Sequence, residues 1–263
     1  MIRLATLLAC FALAACTVGP PPRLEGAPAV ASAGQALAAY ARVLQRFVDA
    51  RGAVDFEALA SDRADLDTYV RYIAATPLDS LAPGDERLAH YINSYNALSM
   101  YNVIESGIPA SHYGLRKLVF FVLHRFDIGG ERMSLYAYEN DVIRKVGDPR
   151  VHFALNCSAV GCPRLPRKPF TATGLQDELD RETRRFFASP DHLRIDRAGK
   201  VVHVSELLEF YREDFEAHAP SLLAFVSRYA PEPVPTDYEV RFIPYDWTIA
   251  DSRRLRQPAA SGR

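Results

Sequence analysis

The stretch Asp148–Leu165, DPRVHFALNCSAVGCPRL, sets an apolar run beside two cysteines and ends in a proline-punctuated loop. Arg150 to Asn156 is dense in apolar residues, as a strand covered on both faces should be, and it predicts a central strand that delivers the chain into Cys157. His152 lies inside that run, where a polar ring requires a hydrogen-bonding partner. On a strict strand His152 and Cys157 point to opposite faces, so the chain has to turn after Asn156 for the two to meet. The small residues just beyond make that turn feasible.

Helical patterns precede this strand. Leu37, Tyr40, Val43, Leu44, Phe47 and Val48 recur at helical spacing, and Leu59 to Ile73 gives a second amphipathic run closed by Pro77. A longer helix is predicted from about Asp85 to Glu105, ending at Gly107 and Pro109. It carries Asn93 and Asn96 at i, i+3, and asparagine is a poor helix former because its amide competes for backbone hydrogen bonds. The pair reads either as side chains that hold something in place or as a polar, partly solvated helix face. Leu118 to Ile128, followed by Gly129-Gly130, has a strand or hairpin signature, and Ser134 caps a short helix bearing Glu139 and Arg144.

Downstream, Thr173 opens a helix through Phe187, and the runs Leu193–Asp196 and Val201–Val204 flank Ala198-Gly199 as a hairpin. Helices follow over Glu206–Phe215 and Ser221–Ala230, and Tyr238 to Pro244 is a last strand, ending in Tyr245-Asp246-Trp247. The whole is a single α+β domain with an antiparallel sheet packed by helices. With 263 residues, 49% hydrophobic, 24% charged and a formal charge of −1, the chain lacks the basic face that nucleic-acid binding needs. Neither an internal repeat nor a glycine-rich nucleotide loop is present in the sequence.

The N-terminus reads as an export signal. Arg3 precedes the apolar stretch Leu4–Ala15, too short to span a bilayer, and Pro20-Pro21-Pro22 follows. Leu13-Ala14-Ala15-Cys16 resembles the bacterial lipobox, which implies a leader over 1–15 and a diacylglycerol on Cys16, and Thr17 after it resembles the pattern sent to the outer membrane. Ordinary secretory cleavage is the alternative, but it leaves Cys16 unpaired; Cys10 is the weaker lipobox position. The expected organisation is a lipidated tether over 16–35, a domain over 36–249 and a polar tail over 250–263, with the membrane as partner through the N-terminal lipid. In an oxidising compartment Cys157 and Cys162 must either pair or work, and the small loop between them makes stability alone a poor reason for a disulfide.

Five stretches carry a family resemblance: GAVDFEAL at 52–59, HYINSYNAL at 90–98, GGERMSLYAYENDVIR at 129–144, DPRVHFALNCSAVGCPRL at 148–165 and IPYDW at 243–247. In order and spacing they resemble the domain of unknown function 547 family over nearly the whole mature length. That resemblance implies a fold similar to papain-like cysteine peptidases, with acid, base and thiol met in permuted order at Glu139, His152 and Cys157. Asn140 departs from the family, which often has histidine there.

The same three residues have a physical case of their own. A thiol is a nucleophile only as thiolate, and an imidazole held by a carboxylate stabilises it; Glu139, His152 and Cys157 supply those types within nineteen residues. Cys162 is the rival thiol, ranked second because Pro163 denies it a helix N-terminus. Asn93 and Asn96 orient the imidazole, donate to an oxyanion, or else satisfy buried backbone groups beside the sheet. A metal site from Cys157, Cys162, His152 and His124 lacks the paired spacing typical of zinc, so no metal or cofactor is expected. Arg144 and Arg150 read as salt-bridge partners of Glu139 or Asp148, and Tyr245, Asp246 and Trp247 either as residues lining a cleft or as a buried aromatic cluster closing the last strand. The expected function is an envelope lipoprotein with a thiol-dependent amide or ester hydrolase or acyltransferase site, acting on a peptide, a peptidoglycan stem or a small acyl compound. The alternative is a lipid-anchored binding or scaffold module with a Cys157–Cys162 disulfide.

Overall fold

The computed structural model describes residues 31–256, so the expected leader, Cys10, Cys16 and most of the tether lie outside the described residues. Its axis is the helix Asp85–Glu105 (α4), buried from Leu88 to Val103. A helix buried all round belongs at the centre of a domain rather than on its surface. Its polar side chains must therefore be satisfied internally, and they are. The Asn93 amide donates to Phe170 O at 2.7 Å and accepts from Phe170 N at 2.9 Å. Asn96 donates to Ala154 O at 3.0 Å and accepts from Asn156 N at 2.7 Å. Each asparagine thus acts as a substitute peptide group for a chain segment that has no sheet neighbour.

Around α4 pack Ala33–Phe47 (α1), Phe56–Ser61 (α2) and Ala64–Ala75 (α3). Ser32 caps α1 in a capping box with Gln35, and Tyr40 of α1 stacks on Tyr69 of α3 with ring centroids 4.6 Å apart. The single amphipathic run read at 59–73 is interrupted at Asp62, which closes α2, and restarts at Ala64.

Leu115–Leu118 (α5) continues as a π-helical turn over Val119–Leu123, where a strand was expected. A short apolar run has no period of its own to separate strand from helix, and here the helix sends Phe120 into the core and leaves Leu118 and Leu123 exposed. The hairpin itself forms later, from Phe126–Ile128 (β1) and Glu131–Met133 (β2) about Gly129-Gly130. Leu135–Ala137 (α6), capped by Ser134, likewise continues as a π-helical segment, Tyr138–Ile143.

The expected central strand over 150–156 is instead a 3-10 helix, Pro149–Phe153. Asp148 accepts from Arg150 N at 2.9 Å and Pro149 occupies the first turn, so Asp-Pro starts a helix here rather than only ending the preceding one. Phe153 is buried among Phe186, Phe187, Phe215 and Phe225.

After Leu175–Phe187 (α7) come Leu193–Asp196 (β3) and Val201–Ser205 (β4), then Leu207–Phe210 (α8), Arg212–Glu216 (α9), Leu222–Ser227 (α10), Glu239–Ile243 (β5) and Ser252–Arg256 (α11). β3 and β4 pair antiparallel, as expected for the hairpin, but β5 joins β4 in parallel, so the three-stranded sheet is mixed rather than antiparallel. The fold is α+β with small sheets. Among the described residues, no helix is long and apolar enough to cross a membrane.

The C-terminal segment closes the domain. Val54 N donates to Ala250 O at 2.9 Å, Ala250 N to Ser158 O at 2.8 Å and Gly161 N to Asp246 O at 2.8 Å. Asp251 and Ser252 are buried, and Arg253 pairs with Asp55 at 2.8 Å. The polar tail expected from residue 250 is therefore docked as far as Arg256. These contacts bring the stretches beginning at 52, 148 and 243 into one cluster. Gly52, at φ +89°, has no room for a Cβ, which would stand 2.6 Å from Leu165 N; one on Gly161 would stand 2.8 Å from Asp246 N.

Candidate functional site

A cavity of about 580 Å³ opens where α5, the π-helical segment 138–143, the 3-10 helix 149–153, α8 and the loop 157–162 meet. Glu139, His152, Cys157 and Cys162 all line it. Three of the residue types that thiol chemistry needs are thus on one wall system, although their hydrogen bonds are not those of a simple Glu-His-Cys chain.

The carboxylate bonded to His152 is Asp214, on α9: Nε2 lies 2.7 Å from Oδ2. Arg144 grips the same carboxylate, Nε to Oδ2 at 2.8 Å and Nη2 to Oδ1 at 2.7 Å. Burial opposes the charge on Asp214, but His152 and Arg144 outweigh it and hold the carboxyl far below the ordinary range. With Nε2 committed to Asp214, the other ring nitrogen, Nδ1, is buried and has no hydrogen-bond partner.

Glu139 reaches the imidazole only indirectly. The Tyr211 hydroxyl donates to Glu139, and the Tyr211 ring lies on His152 with centroids 3.9 Å apart and 18° between planes. Tyr95 also bonds Glu139. Burial pushes both tyrosines well above their usual range, and the negative charge of Glu139 adds to that, so both hydroxyls remain donors. Arg144, expected on Glu139 or Asp148, instead bridges Asp214 and Asn140; Arg150 does bond Asp148, at 2.6 Å, and also Asp180 at 2.7 Å.

The two sulfurs lie 2.8 Å apart as free thiols. The loop that holds them is fixed by Asn156, whose amide donates to Pro163 O at 2.8 Å and accepts from Ser158 N at 2.7 Å, and by the left-handed conformation of Ser158, φ 65°. Burial pushes the Cys157 thiol well up, and its bond to Cys162 adds to this. Burial opposes ionisation of Cys162 as well, but donors outweigh it there: the Cys157 thiol, the Tyr245 hydroxyl at 3.0 Å, and the backbone N–H groups of Ala159 and Cys157. The first proton lost by the pair therefore leaves charge on Cys162, with Cys157 as its donor. Cys162, ranked second on sequence grounds, is the better-supported thiolate, because the tight turn rather than a helix N-terminus supplies the donors.

Three residues of this region carry no sequence signal. His112 Nε2 holds the Cys157 carbonyl at 3.0 Å, and burial lowers its pKa to about 4, so it stays neutral. Lys117 sets its ammonium 3.7 Å from the Trp247 ring centroid, and Tyr245 packs on Trp247 at 4.4 Å. Asp214 stands 62 residues from His152 in an ordinary acidic run. Asn93 and Asn96 serve the backbone bonds described above. His124 is turned to Asn102 Oδ1 at 2.6 Å, and no cluster of three or more His, Cys, Asp or Glu that could hold a metal occurs among the described residues.

The chain is thus an α+β protein with a thiol pair and a carboxylate-held imidazole on one cavity. Residues 78–187 match the model of the family described as "Protein of unknown function, DUF547", a segment that takes in α4, Glu139, His152 and both cysteines. The family resemblance read from the motifs is supported over that segment. Asp214, Tyr245 and Trp247 fall beyond it. No curated protein and no solved structure matches the chain.

Proposed function

We propose that the chain is a lipid-anchored envelope protein of the outer membrane, facing the periplasm, whose papain-like domain is a thiol-dependent amide or ester hydrolase or acyltransferase. The observation that carries the chemistry is His152: Nε2 is 2.7 Å from Asp214, Nδ1 is unpartnered, and the ring lines the cavity that also holds the sulfur pair. A carboxylate on Nε2 fixes the tautomer and leaves the other nitrogen as the acceptor for a thiol proton.

Cys157 is the attacking member of the pair in this reading because it is the thiol position that the family resemblance implies; the charge that the first ionisation leaves on Cys162 passes to it when the Cys157 proton crosses the 2.8 Å between the sulfurs. Its thiolate adds to the acyl carbonyl, the new C–S bond replaces the C–O or C–N bond, and His152 returns the proton to the leaving group. Water or an acceptor alcohol or amine then takes the acyl group, giving its proton to His152 and thence to sulfur. Glu139 is a positioning residue that fixes Tyr211 under the imidazole. The resemblance to the family and the lipobox-like leader support the remaining parts of this reading.

The test is to treat the chain with a nitrophenyl acyl ester, quench in acid and locate the adduct by mass spectrometry. The expected result is an acyl thioester on Cys157, absent in Cys157→Ser and much reduced in His152→Ala. Absence of any thioester in the reduced protein overturns the enzyme reading. A second reading, a binding module closed by a Cys157–Cys162 disulfide, is favoured by the 2.8 Å between the sulfurs; it predicts that neither thiol reacts until a reductant is added.

A further inference from the structure

Among the described residues, several large apolar side chains left exposed are gathered at one place. Leu115, Leu118, Val122 and Leu123 come from α5 and its π-helical continuation, and Tyr136 and Phe210 from elements that also reach the cavity. Leu118, Val122, Tyr136 and Phe210 all line it, while Leu115, 81% exposed, continues the same helix face outward at i, i+3, i+7 spacing with Leu118 and Val122. Burial of these side chains would release water from apolar surface at the mouth of the cavity whose wall holds the sulfurs. Nothing in the fold explains their exposure, since a helix of this kind ordinarily turns such a face inward.

A cation stands at the same mouth. Lys117 lies over the rings of Trp247 and Phe210, and the Glu206 carboxylate, which accepts from Tyr245 N, acts on it electrostatically without a salt bridge between the two. An ammonium held on aromatic faces beside an apolar track is a counter-charge for an anionic group attached to a hydrocarbon chain. The cavity, about 580 Å³, is within the range of small-molecule sites.

We propose that the ligand of this site is a fatty-acyl compound: its hydrocarbon chain lies along Leu115, Leu118 and Val122, and its polar end passes Lys117 toward Cys157. This deepens the acyl-transfer reading and rests on it for the chemistry, while chain binding itself is measurable without turnover. Peptides and short acyl groups, which the thiol site would equally accept, leave the apolar track unused.

Trp247 is the chain's single tryptophan and lines the cavity, so its fluorescence reports occupancy directly. The full chain carrying Cys16→Ala, with no attached lipid to compete, is titrated with mid-chain-brominated stearate as quencher. Quenching is expected, and dodecanoate should displace the probe at a concentration roughly 100-fold or more below that of butyrate, because each added methylene contributes to binding when buried. Leu118→Glu and Val122→Glu change exposed positions, so they should leave the protein folded yet weaken quenching at least about tenfold by placing a carboxylate in an apolar track. Lys117→Gln should weaken stearate binding but not that of the brominated fatty alcohol.

No quenching, equal displacement by butyrate and dodecanoate, or unchanged affinity in both glutamate variants overturns the inference. So does loss of adsorption to phosphatidylglycerol vesicles in those variants with stearate affinity intact, which assigns the track to a membrane surface. Chain binding that persists in Cys157→Ser, together with no thioester in the wild type, keeps the chain site and removes the acyl-transfer reading. A thioester formed equally well from acetyl and dodecanoyl esters, without quenching, does the reverse.

Discussion

Tyr211 lies flat on His152, ring centroids 3.9 Å apart, while its hydroxyl is held by Glu139. The imidazole is therefore fixed from two directions, in its plane by Asp214 and across its face by Tyr211. A carboxylate on the ring edge sets the tautomer; an aromatic ring on the face sets the tilt and excludes water.

Replacing Asp214 with Asn should leave the ring in place but exchange its charged hydrogen-bond acceptor for a neutral one. Alkylation of Cys157 at neutral pH is then expected to slow by roughly tenfold, the equivalent of one charge-assisted hydrogen bond. His152→Ala should slow it at least as much, and Glu139→Gln less. Mass-spectrometric labelling resolved by cysteine, on reduced protein, checks this. Identical rates in all three variants would detach the imidazole from the sulfur chemistry.

Asp214 also sets an acid dependence. Its folded-state pKa is depressed, so its contribution to stability is fully present above the unfolded value of about 3.9 and is lost as the pH falls through the lower folded value. Urea midpoints measured between pH 6 and pH 2 should fall more steeply in the wild type than in Asp214→Asn. Parallel curves would mean that the pairing with His152 and Arg144 does not stabilise the fold.

Gly161→Ala tests the junction between the cysteine loop and the segment after β5. The added Cβ meets Asp246 N at 2.8 Å and the Tyr245 ring at 2.9 Å, and backbone cannot yield as a flexible side chain would. We expect a loss of about 1–3 kcal/mol, typical of overpacking, and a melting temperature lower by several degrees. A variant as stable as the wild type would show that the loop moves without cost.

Removing both sulfurs should be tolerated. They stand at the cavity wall of a domain with a large apolar core, and Cys157→Ser/Cys162→Ser should unfold cooperatively, at a cost of at most a few kcal/mol whether the thiols were paired or free. Circular dichroism melts decide the matter. A double variant unfolded at room temperature would make the sulfurs structural and weaken the nucleophile reading.

The anchor makes its own prediction. Cys16→Ala should abolish incorporation of labelled palmitate and move the protein out of the membrane fraction, as the Leu13-Ala14-Ala15-Cys16 signal requires. Undiminished labelling in that variant would remove the lipoprotein reading.

The sequence by itself determined the features whose physics is local. The extent of α4, the Gly129-Gly130 hairpin, the β3–β4 hairpin and the Ser134 cap follow from periodicity, turn chemistry and capping, which act over a few residues. It also gathered Glu139, His152, Cys157 and Cys162 as chemistry-bearing residues, because they lie close together along the chain. Only the tertiary structure decided what each of them touches. Residues 149–153 and 119–123 are helical although their apolar runs fit strands equally well, and packing against Phe186, Phe215 and His112 made the choice. The partner of His152 is Asp214 rather than the nearer Glu139, and the donors that favour Cys162 include Tyr245, 83 residues away. Hydrogen bonds and charges act through space at a few ångströms, so a contact between distant positions leaves no period or spacing in the sequence from which it can be read.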